Sequence, residues 1–476
     1  MPPSDLSSGR RRLDAAIAAF VRLVLRIFFR RVEVAGVERL PRGRPLVVVA
    51  NHVNAMVDPL LLLGTLPLAP RFLGKSTLWR NPFLAPWLRI ARVIPVYRRQ
   101  DERSDPAAAA APSASRNDAM FERCHEVLHG GGAIALFPEG ISHSLPALAP
   151  MKTGAARIVL EAERKWPGMG TAIVPVGLSF DAKGTFRSRA LVQVGEPIDP
   201  VPEIAAADMR PDDPESNAAA VRQLTARIDA GLQAVTLNYP SWDEARLLGR
   251  AAELFAHGAA ELPGRPGLAS AFPLHRTFID GYRDLSRRFP ERTAGAAAAV
   301  ERYDRLLAAV GLRDDQVAAA YPPSPVVRFV LRSLLRLLVH LPLAALGVVL
   351  CWPVYRLIGE IARRAARRDA DLAATFKVFG GLVLYPLSWL AEAALAAWLG
   401  RATGHPLALA VATLVTAPLA GYAALRFDDR RAVFWREARA YLVLRTRRRL
   451  AAELRALRDE ALEQVKELAE LVGAEG

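Results

Sequence analysis

The sequence predicts an α/β domain followed by a helical extension, C-terminal membrane helices and a long terminal helix. Strand-like apolar runs alternate with helical stretches over about residues 35 to 204, which is the pattern of a layered α/β domain. Three long apolar segments lie in the last third of the chain. After them, leucines recur at helical spacing in a strongly charged stretch.

The predicted organisation has five regions. In order they are an N-terminal amphipathic interfacial helix (1–34), the α/β domain (35–204), a helical extension (205–330), membrane segments (331–426) and a C-terminal amphipathic or coiled-coil helix (427–476). The helical extension is rich in Ala, Arg and Asp and carries no motif that indicates chemistry.

Charge and composition indicate an anionic membrane surface as a partner. The 476 residues carry a formal net charge of +15, and the mean hydropathy is positive, at +0.14. Basic proteins bind nucleic acids or anionic lipids, but no nucleic-acid-binding motif accompanies the charge, so nucleic acid is not an expected partner. The two cysteines, Cys124 and Cys351, have neither disulfide nor metal-ligand spacing. They predict a reducing compartment and no metal site.

The N-terminal run "LDAAIAAFVRLVLRIFFRR" combines apolar residues with a cationic stripe. Arg22, Arg26 and Arg30 recur every four residues, which places them on one face of a helix. The same charges interrupt the run too often for a signal peptide. We expect an amphipathic helix that lies in a membrane interface. The alternative is a surface helix that packs on its own domain.

Three segments are long and apolar enough to cross a bilayer, which needs about 20 residues. They are Leu337–Tyr355, Val378–Gly400 and Pro406–Leu425. Basic stretches flank the first segment on both sides, so three full crossings would place them on opposite faces, against the positive-inside rule. We therefore expect the first segment to enter and return, broken near Pro342 or Pro353, while the other two form a hairpin. The α/β domain would then lie on the cytoplasmic face of the cell membrane.

The last long helix is expected from about Arg430 to Val472. Its rough heptad pattern is formed by Leu450, Leu454, Leu457, Ala461, Leu468 and Leu471. Such a helix could form a homodimer or pack on its own domain, and the sequence favours neither. Glu392 stands alone in an apolar run and is expected to be protonated, or to face a helix, rather than to be catalytic.

The stretch "VVVANHVNAMVDPLLLL" holds the strongest candidate for chemistry, His52 and Asp58. Along a strand, six residues would separate the two side chains by roughly 20 Å. Along a helix they would turn through about 600° and leave the side chains on different faces. They can meet only if the chain turns at Asn51 and enters a helix near Pro59, and Asn54 also suits the turn.

A paired imidazole and carboxylate would form a general base. Neutral imidazole accepts a proton from a hydroxyl, and a carboxylate on its other nitrogen sets the tautomer. Neither a Gly-x-Ser-x-Gly elbow nor a catalytic cysteine context is present, so we expect the substrate to supply the nucleophile in a direct transfer. The alternative is a structural histidine at the end of an apolar run.

Three further patterns accompany this pair. "IPVYRR" ends a strand with Arg98 and Arg99, which suit a phosphate. "FPEG" places Glu139 at a strand end, before Gly140, whose backbone can approach a ligand closely. "IVPVGLSF" contains Pro175, which predicts an edge or a bulge, as at the rim of a cleft. Taken singly, each pattern also has a plain structural explanation as a solvated arginine, a cap or an edge strand.

Taken in order, four motifs resemble the glycerolipid acyltransferase family, which includes lysophosphatidate and glycerol-3-phosphate acyltransferases. They are "NHVNAMVDP", "VIPVYR", "FPEGISHS" and "IVPVGL", and the resemblance covers roughly residues 35 to 200. The commonest family pattern has four residues between histidine and aspartate, whereas this chain has five. In that spacing the chain is similar to a branch with fungal glycerol-3-phosphate/dihydroxyacetone-phosphate acyltransferases and related bacterial proteins.

The resemblance implies a role for each matching residue. His52 would take the proton of the acceptor hydroxyl, and Asp58 would orient it. Arg98 would bind the acceptor phosphate, while Glu139 and Gly140 would shape the acceptor pocket.

Further expectations concern the substrates. Lys75 and Lys152 are expected as extra phosphate contacts, and Pro175 as a boundary of the acyl cleft. The expected reaction moves a fatty acyl group from acyl-CoA or acyl carrier protein, with no other cofactor and no metal, to lysophosphatidate, giving phosphatidate in phospholipid synthesis. The alternatives are glycerol-3-phosphate or dihydroxyacetone phosphate as the acceptor, and a non-catalytic membrane scaffold with the same fold.

Overall fold

The computed structural model describes residues 8–80, 84–97, 113–208, 214–257, 262–367 and 372–473. The chain divides into two compact units. Unit 1 comprises residues 1–236 together with 369–375, and unit 2 comprises residues 237–368 and 376–476.

Unit 1 is built on a mixed seven-stranded sheet. Its strands are β1 (Arg31–Ala35), β2 (Leu46–Ala50), β3 (Arg71–Lys75), β4 (Ile94–Val96), β5 (Ala133–Leu136), β6 (Ala172–Phe180) and β7 (Arg189–Val194). Their order in the sheet is β1-β7-β6-β2-β5-β3-β4. From β6 to β4 all neighbours are parallel, and β7 is antiparallel to β6 but parallel to β1. The carboxyl ends of five strands therefore meet at one edge.

Helices cover the sheet of unit 1. They are α1 (Ser8–Phe28), α2 (Val57–Thr65), α3 (Ala85–Ile90), α4 (Ser113–His129), α5 (Gly154–Lys165), α6 (Val201–Asp208) and α7 (Pro214–Val235). Every residue of β2 is buried, as expected for an inner parallel strand with helices on both faces. Val47 and Val49 share a core with apolar residues of α4, α5 and α7. The predicted α/β class is confirmed.

Pro175 lies inside the sheet, beside a bulge. Because β6 has a neighbouring strand on each side, the edge position expected for this residue is wrong. The pairs Val176–Val194 and Ile173–Ile198 are three residues apart on β6 and four apart on the opposing segment, which defines a one-residue bulge. The bulge accommodates the missing N–H of proline, so the second expected alternative is correct. Pro175 is buried rather than at an exposed rim.

The N-terminal helix α1 has one packed face and one exposed apolar face. Val21 and Leu25 are buried and lie against Gly64 of α2. Phe20 and Leu23 are about half exposed, at 48% and 53%. Packing on its own unit is therefore shown, and a second apolar face remains uncovered within unit 1. Its contact with a membrane interface stays a prediction.

The chain after residue 236 is helical throughout its described part. The helices are α8 (Trp242–Ala256), α9 (Leu268–Arg288), α10 (Pro290–Val310), α11 (Asp314–Ala318), α12 (Pro323–Ala366), α13 (Leu372–Gly400), α14 (Pro406–Thr446) and α15 (Arg448–Gly473). Three helical stretches are long and apolar enough to cross a membrane: Pro323–Ala366, Ala373–Thr403 and Pro406–Thr446. Each contains one of the three segments predicted from the sequence.

The break expected in the first apolar segment is wrong. Helix α12 runs without interruption through both Pro342 and Pro353. Its neighbour α14 lies very close, because a Cβ at Gly347 would overlap the carbonyl group of Ala420. Close packing between small residues stabilises α12 against α14. This packing offsets the loss of the backbone hydrogen bonds that the two prolines remove. The first apolar segment therefore forms one continuous helix, and it does not turn back at a break.

The single terminal helix expected from Arg430 to Val472 is also wrong. Helix α14 continues to Thr446, and a new helix begins at Arg448 after Arg447 leaves helical geometry, with φ −98° and ψ 67°. The apolar stripe of α15 is buried within unit 2, in a core that includes Tyr303 of α10. Packing on its own domain is therefore the alternative that the structure shows, and a homodimer through this helix stays a prediction.

A buried carboxylate, Asp314, joins several helices of unit 2. It accepts hydrogen bonds from Tyr303 Oη at 2.8 Å and Arg458 Nε at 2.9 Å, and His257 Nδ1 lies 2.7 Å away. Burial opposes ionisation, but the hydrogen bonds from His257 and Arg458 outweigh it and hold the pKa of Asp314 below its usual value. Asp314 therefore stabilises unit 2 in its charged form.

Candidate active site

The turn between β2 and α2 brings His52 and Asp58 together, as predicted. The side chain of Asn51 bonds the backbone of Leu178 on β6 in both directions, at 3.0 Å to its carbonyl and 2.7 Å from its N–H. This clamp ends β2 and lets the chain leave the sheet. Ala55 adopts a left-handed conformation, with φ 43°, before helix α2 begins at Val57.

Asp58 organises the turn through a single carboxylate oxygen. Oδ2 lies 2.9 Å from His52 Nδ1, and it accepts the backbone N–H groups of Val53 at 2.9 Å and Asn54 at 2.7 Å. The carboxylate is fully buried. Because Oδ2 already accepts from two amides, it also acts as the acceptor towards His52, whose Nδ1 donates.

This assignment leaves Nε2 of neutral His52 as a proton acceptor. The imidazole is 19% exposed, so its outer edge can be reached from solvent. One face of the ring stacks on Phe137, with the ring centroids 4.1 Å apart and an angle of 14° between the planes. The carboxylate and the stacked phenyl ring together restrict the ring to one orientation.

Glu139 holds the backbone of the same turn. Its side chain is fully buried, and Oε1 accepts the N–H of His52 at 2.7 Å. Oε2 accepts the N–H of Ala149 at 2.7 Å and is also hydrogen-bonded to His143 Nε2. In turn, the N–H of His143 donates to the carbonyl of His52 at 3.1 Å. The contacts that the structure shows for Glu139 thus support His52, and its part in an acceptor pocket stays a prediction.

Gly140 and Lys152 lie against each other beside this turn. Gly140 has φ +72°, and a Cβ there would overlap the side chain of Lys152. The backbone N–H of Lys152 donates to the carbonyl of Pro138 at 2.9 Å, which places this lysine on the loop that carries Glu139. The structure therefore brings Lys152 together with the predicted site residues.

The other predicted residues are less directly connected to His52. Lys75 ends β3, at the same sheet edge as His52 but separated from β2 by β5. Arg98 and Arg99 lie outside the described residues, which stop at residue 97 before that gap. Pro175 is buried in β6, and its role beside an acyl cleft stays a prediction.

Lys183 and His143 support the site and were not assigned a role from the sequence. Lys183 Nζ donates to the carbonyl of Val53 at 2.8 Å and is also hydrogen-bonded to Ser144 Oγ. His143 has a recognisable signal, because it follows Glu139 by four residues in "FPEGISHS". No local pattern marks Lys183, whose partner Val53 is 130 positions away. Within the described ranges, no group of three His, Cys, Asp or Glu side chains could hold a metal ion.

The geometry suits general-base chemistry. A fully buried carboxylate orients an imidazole, and the free nitrogen of that ring lies at the carboxyl edge of a largely parallel sheet. The fold and the site together define an α/β protein with an oriented histidine–aspartate pair, and three helices in its C-terminal half are long and apolar enough to cross a membrane.

Two family models match this chain. Residues 31–179 match the family model described as Acyltransferase, and residues 254–475 match that of the Glycerol-3-phosphate acyltransferase 2 C-terminal domain. Both matches are to acyltransferase models, which confirms the resemblance to the glycerolipid acyltransferase family drawn from the four motifs.

Several curated relatives share this similarity. Glycerol-3-phosphate O-acyltransferase 2 of Saccharomyces cerevisiae is 29% identical over 299 residues, which cover 60% of this chain and 39% of that protein. An uncharacterized acyltransferase of Schizosaccharomyces pombe is 24% identical, with coverage of 95% and 80%. The 1-acyl-sn-glycerol-3-phosphate acyltransferase of Borreliella burgdorferi is 30% identical, with coverage of 31% and 51%. The match thus spans well under half of the first of these relatives.

One solved structure also aligns with this chain. It is the crystal structure of the 1-acyl-sn-glycerophosphate (LPA) acyltransferase PlsC from Thermotoga maritima. The alignment covers 48% of this chain and 84% of that one, at 22% sequence identity and a TM-score of 0.33.

Proposed function

We propose that this protein transfers a fatty acyl group from a thioester donor to a hydroxyl of a glycerol phosphate, with His52 as the general base. The observation that carries the proposal is the triple hydrogen bonding of Asp58 Oδ2. It keeps the proton of neutral imidazole on Nδ1 and leaves Nε2 as the base. The family resemblance supplies the reaction class, and the site supplies residues suited to it.

The proposed reaction has no covalent enzyme intermediate. His52 Nε2 removes the proton of the acceptor hydroxyl while the hydroxyl oxygen attacks the thioester carbonyl carbon. Asp58 stabilises the imidazolium ion that forms. When the carbon–sulfur bond breaks, the proton on Nε2 passes to the departing thiolate. The products are an ester and a thiol, and the histidine returns to its neutral form.

For the acceptor, we favour glycerol-3-phosphate. The match of residues 254–475 to a glycerol-3-phosphate acyltransferase domain supports this choice, because that match lies outside the α/β domain shared more widely in the family. Two relatives from Saccharomyces cerevisiae, named glycerol-3-phosphate O-acyltransferases 1 and 2, also support it. Dihydroxyacetone phosphate is a related alternative, since the longer histidine–aspartate spacing resembles that of enzymes for both acceptors.

Lysophosphatidate, the acceptor expected from the sequence, is the second candidate. It is supported by relatives named 1-acyl-sn-glycerol-3-phosphate acyltransferases in Borreliella burgdorferi and in plants. In either case, Arg98, Lys152 and Lys75 are the proposed phosphate contacts, and acyl-CoA or acyl carrier protein is the proposed donor. The reaction is proposed to take place on the cytoplasmic face of the cell membrane.

An acceptor panel tests the proposal. The purified full chain in detergent is given labelled acyl-CoA, and separately labelled acyl carrier protein, with each acceptor in turn. Turnover on glycerol-3-phosphate and none on lysophosphatidate is expected. The reverse result would select the second candidate.

A histidine variant separates catalysis from a scaffold role. His52→Ala should lower turnover by about 10²- to 10⁴-fold, the usual contribution of a general base. His129→Ala is the matched control, because this exposed ring at the end of α4 lies outside the site. Unchanged turnover in His52→Ala, or no turnover of the native chain with any acceptor and either donor, would contradict the proposed function.

A further inference from the structure

Unit 1 contains a second pocket that shares none of its lining residues with the His52 site. It has a volume of about 550 Å³ and borders on β3, β4, α3 and α4. Its lining side chains include Arg71, Arg89, Arg92, Arg123 and Trp79. Arg71 and Ile94, which line the pocket, are the first residues of β3 and β4. The residues of the His52 site follow the carboxyl ends of their strands, so the pocket reaches the opposite, amino-terminal edge of the sheet.

The four arginines of this pocket have no close ion-pair partner in the described part of the chain. Across the described ranges, Arg71, Arg89, Arg92 and Arg123 form neither a hydrogen bond nor an ion pair through their guanidinium groups. The only carboxylate among the lining residues is that of Glu126. Elsewhere in unit 1 arginines do find partners within the chain, as Arg39, Arg44 and Arg189 do. Four guanidinium groups and one lining carboxylate leave the pocket with an excess of positive charge.

Arg71 is the pocket arginine whose surroundings most disfavour its charge. Burial lowers the pKa of this half-buried guanidinium below its usual value, and the charges of Arg92 and Arg10 lower it further, while the carboxylates of Glu126 and Asp14 offset only part of the effect. An anion bound between these groups would relieve the repulsion. Guanidinium groups suit a phosphate well, because each can donate two parallel hydrogen bonds to its oxygens.

Helix α3, which lines the pocket, and helix α1, which is bonded to α3, carry exposed apolar side chains that indicate where the anion comes from. On α3, the helix that carries Arg89, Trp87 is 63% exposed and Ile90 is 42% exposed. Arg10 on α1 donates to the carbonyl of Ile90 at 3.1 Å, which ties the two helices together, and Leu13 of α1 is 42% exposed. Tryptophan and arginine beside exposed aliphatic side chains are typical of a protein surface at the level of lipid headgroups.

We propose that this arginine pocket binds the phosphate headgroup of an anionic membrane lipid. The bound lipid is distinct from the reacting acceptor, because the pocket and the His52 site have no residue in common. Trp87, Ile90 and Leu13 would contact the upper acyl chains while the guanidinium groups bind the phosphate. The proposal does not depend on the acyl transfer proposed above.

Binding to the purified full chain tests this proposal. Protein in a neutral detergent is titrated calorimetrically with short-chain phosphatidylglycerol, short-chain phosphatidylcholine, inorganic phosphate and coenzyme A. Phosphatidylglycerol is expected to bind saturably, and phosphatidylcholine at least tenfold more weakly because its cationic choline is repelled. Inorganic phosphate should bind more weakly than phosphatidylglycerol, because it has no acyl chains.

Two double variants make the test specific to the pocket. Arg89→Gln with Arg123→Gln removes two exposed pocket charges and should weaken phosphatidylglycerol binding at least tenfold. Arg42→Gln with Arg164→Gln removes two exposed charges of unit 1 from outside the pocket and should change it less than twofold. Thermal unfolding checks that both variants remain folded.

Three results would overturn the proposal. The first is an absence of saturable phosphatidylglycerol binding, and the second is equal weakening in both double variants, which would indicate general surface charge. In the third, coenzyme A binding depends on the pocket arginines while phosphatidylglycerol binding does not. That result would assign the pocket to a soluble phosphate ligand.

Discussion

Replacing Asp58 by Asn tests the central contact of the site at nearly constant volume. The carboxylate oxygen Oδ2 accepts three hydrogen bonds, from His52 Nδ1 and from the N–H groups of Val53 and Asn54. In Asp58→Asn, the amide oxygen can replace Oδ2, but it carries no net charge. Alternatively, the amide nitrogen faces the imidazole and donates to Nδ1, which moves the ring proton to Nε2 but sets the NH2 group against the N–H groups of Val53 and Asn54.

The two outcomes have different magnitudes. Neutral hydrogen bonds contribute about 1 kcal/mol less each than charge-assisted ones, so three of them cost about 3 kcal/mol of folding stability. In either orientation the imidazolium ion loses its carboxylate partner, and if the ring proton moves to Nε2 the base itself is lost, so turnover falls by up to about 10²- to 10⁴-fold. The expected result is therefore a folded protein of lower Tm whose kcat falls much more than its KM rises.

The assay compares Asp58→Asn with Asp181→Asn, a carboxylate of the same unit that pairs with Arg189 at 2.9 Å outside the site. Initial rates are measured with the acceptor that the native chain prefers, and thermal unfolding is measured on the same preparations. The control should keep at least a third of native turnover. A folded Asp58→Asn variant with turnover as high as that of the control would refute the proposed role of the carboxylate.

Three further predictions concern folding. Gly140→Ala should lose more stability than Gly168→Ala. Both glycines have positive φ, so alanine at either position is strained by about 1–2 kcal/mol, but only a Cβ at Gly140 would meet a neighbouring side chain. The Tm of Gly140→Ala should therefore be the lower of the two. Asp314→Asn should destabilise unit 2 by about 3–5 kcal/mol. Because the pKa of Asp314 is lowered, its contribution to stability is present above the usual carboxyl pKa and is lost as pH falls below about 4. The free energies of unfolding of the native and variant chains, measured by denaturant titration, should therefore converge in acid. A difference that stays constant with pH would contradict this. Gly347→Ala should cost about 1–3 kcal/mol by overpacking α12 against α14, whereas Gly359→Ala, with open space around it, should be neutral or slightly stabilising in the same detergent melts.

The His52–Asp58 turn was predictable because its determinants are local. Asn51 and Pro59 mark the end of a strand and the first turn of a helix within nine residues of sequence, so the contact followed from chain geometry. The support from Lys183 was not predictable in this way. That contact depends on how β6 pairs with β2, and no local sequence pattern predicts this pairing.

Two of the predictions that proline residues led us to make were wrong for the same physical reason. Pro175 was expected at an edge or a bulge because its missing N–H is costly inside a sheet; the edge alternative is wrong, because a bulge in the facing segment removes the need for that N–H within the sheet. A break was expected at Pro342 or Pro353 because proline interrupts helices, but contacts with α14 keep α12 continuous. In both places a partner distant in sequence offsets a local penalty, and only the folded chain shows the partner.

The double role of Asp58 Oδ2 has a consequence for how this site tolerates change. The same oxygen aligns the imidazole and closes the backbone loop that carries it, so the loop and its reactive ring form one cooperative element. Ordering this element costs conformational entropy, and contacts within the chain offset that cost during folding, before any substrate binds. Differences in rate among acceptors should therefore originate in the walls around the hydroxyl, and selectivity could be redesigned there while the loop is left intact.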